Sequence, residues 1–375
     1  MGTQPLLLCD AKTTPEGIAI QQLERVAALP GIDAAAGMPD LHAGRGYPIG
    51  AAFFSRNFIY PALIGSDIGC GMGLWETDLL RRKTKLDKLI ARLPALETPL
   101  GPDWDEEITE LLGAAHPPHR DALGTIGGGN HFAELQRVEA VLAPQHLPPH
   151  FDPERLLLLI HSGSRGLGGA ILRRQVETHG HEALPADGTA ARDYLQAHDE
   201  ALRFAAANRL LIAQRLARAF HCKLILLSDC SHNRLSPSRI NGEPGWLHRK
   251  GAAPADAGLV VIAGSRGSHS YLVKPTGKDG GNLASLAHGA GRKWQRGACK
   301  SRLADKYRPE ELRRNPFGGH VICADKTLLY DEAPQAYRNI EHTISLLTTA
   351  GLIEPVLRLT PLLTYKTQSS GGGHG

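Results

Sequence analysis

The chain has 375 residues, of which 42% are hydrophobic and 21% charged, and its 42 basic and 38 acidic residues leave a net charge of +4. This is the balance of a soluble globular protein that is large enough for one or two domains. No apolar stretch approaches the roughly 20 residues that a bilayer-spanning helix needs, so the sequence predicts no membrane-spanning helix. The small positive charge permits a nucleic-acid or nucleotide partner without requiring one.

The first half of the chain alternates between helical and glycine-rich stretches. The pattern predicts a helix over residues 16–29, followed by short strands and loops over the glycine-rich residues 31–73. Helical segments interrupted by prolines are expected over 79–112. Residues 143–153 contain four prolines and are predicted to form an exposed connection.

The second half contains short apolar runs and one long amphipathic segment. Residues 193–220 carry an apolar stripe with helical spacing, and we interpret Asn208 and Arg209 as residues on the surface of that helix. Three short apolar runs bounded by polar and glycine residues predict buried strands, at 156–160, 224–227 and 259–263.

The chain shows no internal repeat and no composition shift that would mark a domain boundary. We therefore expect one α/β or α+β domain over residues 1–368, followed by a flexible glycine-rich tail at 369–375. The cysteines have no framework-like spacing, which favours reduced thiols and a cytoplasmic location. They are Cys9, Cys70, Cys222, Cys230, Cys299 and Cys323.

The most informative segment is GSDIGCGMG at residues 65–73. Its glycines let the backbone fold tightly, so that Asp67 and Cys70 can point at one position. A carboxylate oxygen and a thiolate sulfur together suit a borderline divalent transition metal. A buried cysteine beside a turn aspartate is the alternative interpretation of this segment alone.

Three histidines in similar polar clusters favour the metal. His131 lies in a glycine-rich run, and His161 and His232 follow the predicted strands at 156–160 and 224–227. Residues at strand ends commonly form binding sites. Five ligands exceed the four of a closed structural zinc site. Two ions that share one ligand, most naturally the Cys70 thiolate, would account for the number.

Two further glycine-rich loops, at 264–267 and 287–292, have the composition of phosphate-binding loops. Small residues let backbone N–H groups approach phosphate oxygens, and Arg266 and Arg292 could add charge-assisted hydrogen bonds. His288 lies in the middle of the second loop. It could act as a general acid or base, as a further metal ligand, or as a nucleophile toward phosphorus.

These segments resemble, in order and along nearly the whole chain, the RtcB family of RNA-splicing ligases. The matching blocks are MPDLHAG at 38–44, DIGCGM at 67–72, GGGNHFAE at 127–134, HSGSRG at 161–166, HN at 232–233, RKGA at 249–252, GSRG at 264–267, HGAGR at 288–292 and DEAP at 331–334, with Lys366 near the end. The resemblance implies an α+β fold, a single large domain with mixed sheets surrounded by helices and a central two-metal cleft.

The resemblance also implies a role for each site residue. Two Mn²⁺ ions would share Cys70, one also bound by His161 and His232 and the other by Asp67 and His131. His288 would be the nucleophile that becomes guanylylated. The nucleotide contacts implied for GTP are Asn130, His131, Phe132, Ala133, Glu134, Asn233, Ala263, Gly264, Ser265, Arg266, Ser270, His288, Gly289, Ala290, Gly291 and Lys366.

The implied reaction joins an RNA 3′-phosphate or 2′,3′-cyclic phosphate to a 5′-hydroxyl through a histidine–GMP intermediate. The Glu134 carboxylate would accept the guanine N–H groups and favour GTP over ATP. Five basic side chains are candidates to bind RNA phosphates, although each could equally be a solvated charge. They are Arg45, Arg165, Arg249, Lys250 and Arg292.

The chain departs from the pattern of the best-known members, since Ala263 and Arg266 replace the proline and methionine of one loop, and Leu286-Ala287 precedes the histidine loop. Its short form resembles a bacterial branch found beside a release-factor homologue, which implies RNA repair.

An archease or a release-factor homologue is the expected protein partner, and no membrane is expected. The alternatives are a metal-dependent RNA phosphodiesterase or cyclic phosphatase, and a translation-associated binding protein.

Overall fold

The computed structural model describes residues 3–368, so the tail predicted at 369–375 lies outside the described residues. The helices in this range are α1 Gly17–Ala27, α2 Pro61–Ile64, α3 Leu86–Ile90, α4 Asp105–Leu112, α5 Gly166–His179, α6 Thr189–Phe220, α7 Cys299–Leu303, α8 Lys326–Asp331 and α9 Ile340–Thr349.

The strands in the same range are β1 Leu6–Leu7, β2 Ile32–His42, β3 Ile49–Ser55, β4 Phe58–Ile59, β5 Gly71–Leu80, β6 Phe132–Val141, β7 Arg155–Ser162, β8 Leu184–Pro185, β9 Leu224–Ser231, β10 Asn233–Ile240, β11 Glu243–Lys250, β12 Ala252–Pro254, β13 Val260–Ile262, β14 Ser270–Pro275, β15 Ser285–Ala287, β16 His320–Cys323 and β17 Ile353–Thr367.

The largest sheet has eight strands, seven of them in the order β13-β14-β17-β6-β7-β5-β9, with β16 pairing with β17 outside this path. The β16–β17 pair is parallel, and the other pairs of this sheet are antiparallel. Strand β17 is the last strand in the described sequence, yet it lies inside the sheet between β14 and β6. The fold is therefore α+β with mixed sheets, which confirms the predicted class.

A second sheet of five strands runs in the order β1-β2-β3-β11-β10. Strand β9 belongs to the large sheet and β10 to this second sheet, and only His232 separates them. The chain therefore crosses from one sheet to the other at a predicted metal ligand. The candidate site lies at this crossing.

Helix α6 packs across β5, β7 and β9 and buries an apolar stripe that includes Leu216 and Phe220. Each fully buried side chain of this size stabilises the fold by about 1.5–3 kcal/mol. The interpretation of Asn208 and Arg209 as surface residues of this helix is wrong, because they are 0% and 1% exposed. The apolar stripe is interrupted at this point by a polar contact with the loops of the site.

Most of the predicted elements are confirmed with small shifts at their ends. The helix predicted at 16–29 is α1, the runs at 156–160 and 224–227 lie in β7 and β9, and the run at 259–263 contains β13. The connection predicted to be exposed at 143–153 is exposed only in part, because Ala143 is buried and Leu147 and Phe151 pack against an apolar cluster of the large sheet. No helix in the described part of the chain is long and apolar enough to cross a membrane.

Candidate active site

The turn before β5 places Asp67 and Cys70 next to each other. The Cys70 N–H donates to the Asp67 carbonyl at 3.1 Å, which closes the turn, and β5 begins at the next residue. Gly69 has a φ of +76°, and a Cβ there would lie 2.6 Å from the Cβ of Ala205 on α6. Only glycine permits this close approach of the turn to the helix.

The three histidines come together because their strands are neighbours in the large sheet. His161 lies in β7 and pairs with Phe132, the residue after His131, on one side and with Met72, two residues after Cys70, on the other. Met72 in turn pairs with Cys230, two residues before His232. The register therefore brings all three histidines to the same end of four adjacent strands.

The distances define two overlapping groups of metal-ligand atoms. Cys70 Sγ lies 3.4 Å from His131 Nε2 and 3.2 Å from His161 Nε2. His131 Nε2 is also 2.8 Å from Asp67 Oδ2, and His161 Nε2 is 3.3 Å from His232 Nε2. Within each group the atoms lie within 4.8 Å of one another, and both groups contain Cys70. The groups are Cys70, His161 and His232, and Asp67, Cys70 and His131.

The protonation states of these residues fit metal ligands. Burial holds the pKa values of His161 and His232 well below the usual range, so both imidazoles are neutral. Burial, followed by the nearby Asp67 carboxylate, raises the pKa of Cys70 well above its usual value. As a thiolate beside a carboxylate, Cys70 needs a cation to compensate its charge. A metal ion meets this need, because it deprotonates the thiol that binds it.

Two further observations test the fit to metal ions. The buried Asp67 Oδ1 and His131 Nδ1 atoms have no hydrogen-bond partner among the described residues. The Asn130 carbonyl lies 3.2 Å from His161 Nδ1 and fixes the proton there, which leaves Nε2 free as a ligand. An oxygen, nitrogen and sulfur donor set of this kind fits two divalent transition-metal ions that share Cys70.

Arg209, on helix α6, supports the backbone of one of the two ligand groups. Its Nη1 donates to the carbonyls of Gly69 at 2.7 Å and Ser162 at 3.1 Å. The other side of the guanidinium binds Asp229 through Nε at 2.6 Å and Ser231 through Nη2 at 3.4 Å. Gly69, Ser162 and Ser231 are the chain neighbours of Cys70, His161 and His232. One buried guanidinium therefore holds the backbone beside each ligand of that group.

Asn208 supports the side of the site near Asp67. Its Nδ2 donates to the carbonyls of Thr125 and Gly163 at 3.3 and 3.2 Å, and to Ser162 Oγ at 3.0 Å. Gly163 is packed so closely against Asp67 that a Cβ there would lie 2.2 Å from the carboxylate. Asn208 therefore fixes the loop against which Asp67 rests.

His288 lies beside the metal-ligand cluster and is held by Asp40. The rings of His288 and His232 have centroids 4.7 Å apart. His288 Nδ1 lies 2.7 Å from Asp40 Oδ2, and the backbone N–H groups of His288 and Gly289 donate to the same oxygen at 3.1 and 3.2 Å. The carboxylate is fully buried. The Nδ1 contact is not aligned as a hydrogen bond, so Asp40 acts on the ring as a close, buried carboxylate.

A cluster of buried polar side chains, which we call the Glu134 pocket, lies on the neighbouring part of the large sheet. Glu134 on β6 pairs with Thr364 on β17, so alternating side chains on the two strands share one face. Glu134 accepts hydrogen bonds from Thr364 Oγ1 and from Gln136 Nε2. Lys366 donates to the Gly129 carbonyl at 2.8 Å, and its Nζ lies 5.9 Å from the centre of the Phe132 ring.

The charges in this pocket are perturbed by burial. Desolvation raises the pKa of Glu134 to about 7 and lowers that of Lys366 to about 8. Burial alone would also raise the pKa of Glu332, but Lys366, Arg296 and Arg292 hold it below its usual value. Ala133 lies on the opposite face of β6 in the apolar core, so its side chain does not face the pocket.

The two loops predicted to bind phosphates are joined to each other. Ala263 donates to the His288 carbonyl at 3.2 Å and accepts from the Ala290 N–H at 3.0 Å. The N–H groups of Gly264 and Ser265 donate to Ser270 Oγ and Ser268 Oγ at 3.1 and 2.7 Å. These backbone donors are occupied within the protein, so the proposal that they point at phosphate oxygens is not supported by the geometry.

Several of the predicted phosphate-binding arginines have partners inside the protein. Arg266 donates to the carbonyls of Leu312 and Leu329, and Arg292 binds Glu332. Arg249 is 1% exposed and binds Asp256 and Ser285. The interpretation of Arg249 as a phosphate ligand or a solvated charge is therefore wrong.

The remaining cations differ from these arginines. Arg45 is exposed, and Arg165 has a φ of +58° and stacks against Gly127 with only a long hydrogen bond to Thr125. Lys250 Nζ lies 5.5 Å from the Tyr47 ring centre, and burial lowers its pKa to about 8. Among the described residues no carboxylate pairs with any of these three cations. They stay candidates for RNA phosphates.

Asn233 supports the metal site in addition to its expected nucleotide contact. Its Nδ2 donates to the Asp67 carbonyl at 3.1 Å, and its Oδ1 accepts from the Gly251 N–H at 2.7 Å. The sequence analysis missed the roles of Asp40, Asn208 and Arg209. Asp40 lies in the first matching block, MPDLHAG, and that signal could have identified it.

The chain matches the family model described as tRNA-splicing ligase RtcB over residues 22–111 and 103–367. It is 50% identical to the RNA-splicing ligase RtcB2 of Escherichia coli (strain ATCC 25922), over 96% of this chain and 94% of that protein. It is 30% identical to the tRNA-splicing ligase RtcB of Archaeoglobus fulgidus, with 92% and 90% covered, and 29% identical to the RNA-splicing ligase RtcB of E. coli K12, with 94% of each covered. With the metal-ligand cluster and His288 side by side, these matches show that the chain belongs to the RtcB family.

Proposed function

We propose that the protein is a GTP- and Mn²⁺-dependent RNA ligase that joins an RNA 3′-phosphate, or a 2′,3′-cyclic phosphate, to a 5′-hydroxyl. The observation that carries the proposal is the position of His288, which contacts a buried carboxylate on one side and the metal-ligand cluster on the other. A nucleophile and an orienting acid arranged in this way are typical of covalent catalysis.

His288 Nε2 attacks the α-phosphorus of GTP, a phosphoramidate bond forms, and pyrophosphate leaves. The Asp40 carboxylate beside Nδ1 compensates the positive charge that the ring gains as Nε2 bonds to phosphorus. Asp67, Cys70, His131, His161 and His232 would hold two Mn²⁺ ions, which when bound neutralise charge on the phosphates.

The pocket around Glu134 provides selectivity for guanine. An ionised Glu134 accepts the two N–H groups at the guanine edge, while Phe132 offers a ring face and Lys366 a positive charge. Adenine lacks this pair of donors and would leave the buried carboxylate partly unpaired, which costs free energy. We therefore expect GTP to be preferred over ATP.

The later steps transfer GMP to RNA. The RNA 3′-phosphate attacks the phosphorus of the histidine–GMP, His288 leaves, and the RNA end becomes activated. The 5′-hydroxyl then attacks the 3′-phosphorus, GMP leaves, and a phosphodiester forms. A 2′,3′-cyclic phosphate is first hydrolysed to the 3′-phosphate. Arg165 and Lys250 lie beside the site and are the candidates to bind these phosphates.

The test is covalent labelling with α-labelled GTP and Mn²⁺ in the wild type and in His288→Ala. We expect an acid-labile, alkali-stable adduct that is lost in the variant. No adduct in protein shown to contain Mn²⁺ would overturn the ligase proposal and favour the phosphodiesterase, the cyclic phosphatase or the translation-associated binding protein. RNA repair, a cytoplasmic location, and an archease or a release-factor homologue as partner remain predictions.

A further inference from the structure

A strongly basic stretch of the chain lies outside the site, in residues 81–92, which we call the basic segment. Six of its 12 residues are Lys or Arg and one is acidic. The whole chain has 42 basic and 38 acidic residues, so the other 363 hold 36 basic and 37 acidic ones. The segment therefore carries a net charge of +5, while the charges of the rest of the chain sum to −1. Its cations are Arg81, Arg82, Lys83, Lys85, Lys88 and Arg92.

All six cations are exposed and unpaired. Each is exposed to solvent, and within residues 3–368 none of the six side chains makes a hydrogen bond or an ion pair. Several other basic residues of this protein have partners inside the fold. Arg120 binds Asp105 and Arg215 binds the carbonyls of Thr98 and Gly124, for example. The basic segment is thus left without internal partners for its charge.

Packing fixes the direction in which these cations point. Leu86, Leu89, Ile90 and Leu93 pack against the apolar cluster beneath the large sheet. Because the apolar side chains of α3 and its flanks are turned inward, the basic side chains between them are turned outward. The basic side chains therefore project from a segment whose backbone is held in place by packing.

The segment also connects two parts of the large sheet. Strand β5 starts beside Cys70 and ends at Leu80, about 30 Å away for ten residues in a strand. After the basic segment the chain returns, and Leu96 bonds to Tyr365 and to Ile126 at 2.9 Å each. Ile126 precedes the 127–130 loop of the site, and Tyr365 precedes Lys366. The cations thus lie along a path from the far end of the sheet back to the active site.

We infer that the basic segment is a docking surface for the ribose–phosphate backbone of the substrate RNA, away from the ends that are joined. The inference rests on the proposed function. Phosphates on one RNA strand offer closely spaced negative charges, and Lys and Arg bind them without reading sequence.

The composition of the surface favours RNA over other partners. Protein interfaces are enriched in aromatic residues and depleted in lysine, whereas a peripheral membrane helix needs an exposed apolar face. The basic segment has no aromatic residue, and its leucines and isoleucine are turned toward the core. The exposed surface of the basic segment therefore offers a partner positive charge and no apolar contact.

The test compares two variants that each lose two lysines and two arginines. The first is Arg81→Gln, Arg82→Gln, Lys85→Gln and Lys88→Gln in one chain. The matched control is Lys12→Gln, Arg25→Gln, Arg203→Gln and Lys306→Gln, at four scattered exposed sites whose side chains have no ion pair among the described residues. Equal thermal unfolding of the two variants shows that both fold.

Binding is measured by fluorescence anisotropy over a range of KCl concentrations, with a stem-loop RNA broken in its loop and with a pair of short oligonucleotides. For the stem-loop, we expect the slope of log affinity against log salt to fall by about 3 in the first variant, given roughly 0.7–0.9 per lost phosphate contact. We expect the short oligonucleotides to bind all proteins alike, and the control to match the wild type.

Ligation kinetics give the second readout. We expect KM for the stem-loop to rise about tenfold in the first variant with kcat unchanged, because only substrate docking is weakened. Labelling of the protein by GTP should be the same in both variants. An unchanged salt slope in the first variant would overturn the docking surface. Failure of the wild type to form the GTP adduct would instead overturn the proposed function, and the anisotropy would still decide the docking surface.

Discussion

The buried guanidinium of Arg209 and the carboxylate of Asp229, which is 22% exposed, form a bidentate pair with nitrogen–oxygen distances of 2.6 and 3.0 Å. Asp229 is three residues before His232, and the same guanidinium reaches the carbonyls beside Cys70 and His161. The pair therefore connects helix α6 to one metal-ligand group without contacting a ligand side chain.

We expect Arg209→Gln to destabilise the protein by about 3–5 kcal/mol, because it leaves a largely buried carboxylate without its partner. The double variant Arg209→Met with Asp229→Leu removes both charges and should recover much of that loss. Urea unfolding measures both effects. If Arg209 positions the ligands, the stable double variant should still bind fewer than two Mn²⁺ ions. Two fully bound ions in that variant would show that Arg209 has only a structural role.

Cys70 should be the ligand whose loss affects both ions. We expect Cys70→Ser to lower the Mn²⁺ stoichiometry at both positions, since Cys70 belongs to both ligand groups, whereas His161→Ala should affect one. Elemental analysis after gel filtration measures the metal content. Cys230→Ser is the matched control, because Cys230 is in neither group. Full metal content in Cys70→Ser would contradict the shared thiolate.

Asp40→Asn should separate nucleotide binding from nucleotide transfer. The amide has nearly the same shape but cannot stabilise a positive imidazole, so we expect labelling by GTP to slow by about 10²–10⁴. Binding of GTP should change little. Rapid-quench labelling gives the rate, and Asp33→Asn, at a surface ion pair with Arg56, is the control. A labelling rate equal to that of the wild type would exclude Asp40 as the orienting acid.

Guanine affinity should depend on pH through Glu134. Its pKa is about 7, so the carboxylate is largely protonated below pH 7 and must lose a proton to accept both guanine N–H groups. We therefore expect GMP affinity to fall by up to about tenfold per pH unit below 7. Fluorescence titrations between pH 6 and about 7.5 measure this dependence.

Glu134→Gln provides the comparison for this pH series. The amide does not titrate in this range, so the variant should bind GMP weakly with a flatter pH profile. Any pH dependence of GMP affinity that remains in the variant arises from other titrating groups, and it can be subtracted from the profile of the wild type. Parallel profiles for the wild type and the variant would contradict a role for the Glu134 charge.

The sequence identified the five candidate metal ligands because their type and their glycine-rich surroundings are local properties. Their pairing into two groups depended on the strand register, and the family resemblance supplied it before the structure did. Arg209 could not be found in this way, because helical periodicity identifies the apolar face of α6 but not a polar residue buried against Gly69, 140 positions away. For the two glycine-rich loops, composition could not show that N–H groups of these loops donate to Ser268, Ser270 and Asp40.

Strand β17 occupies the interior of the large sheet although it is the last strand in the described sequence. During translation, β6 and β14 are both made long before the strand that joins them. The sheet can therefore close only after β17 has left the ribosome, and Lys366, which lies in β17, reaches the pocket beside Glu134 in the same event. A nascent chain that lacks β17 already contains the five candidate metal ligands, but we expect it to use GTP only after this strand has been added.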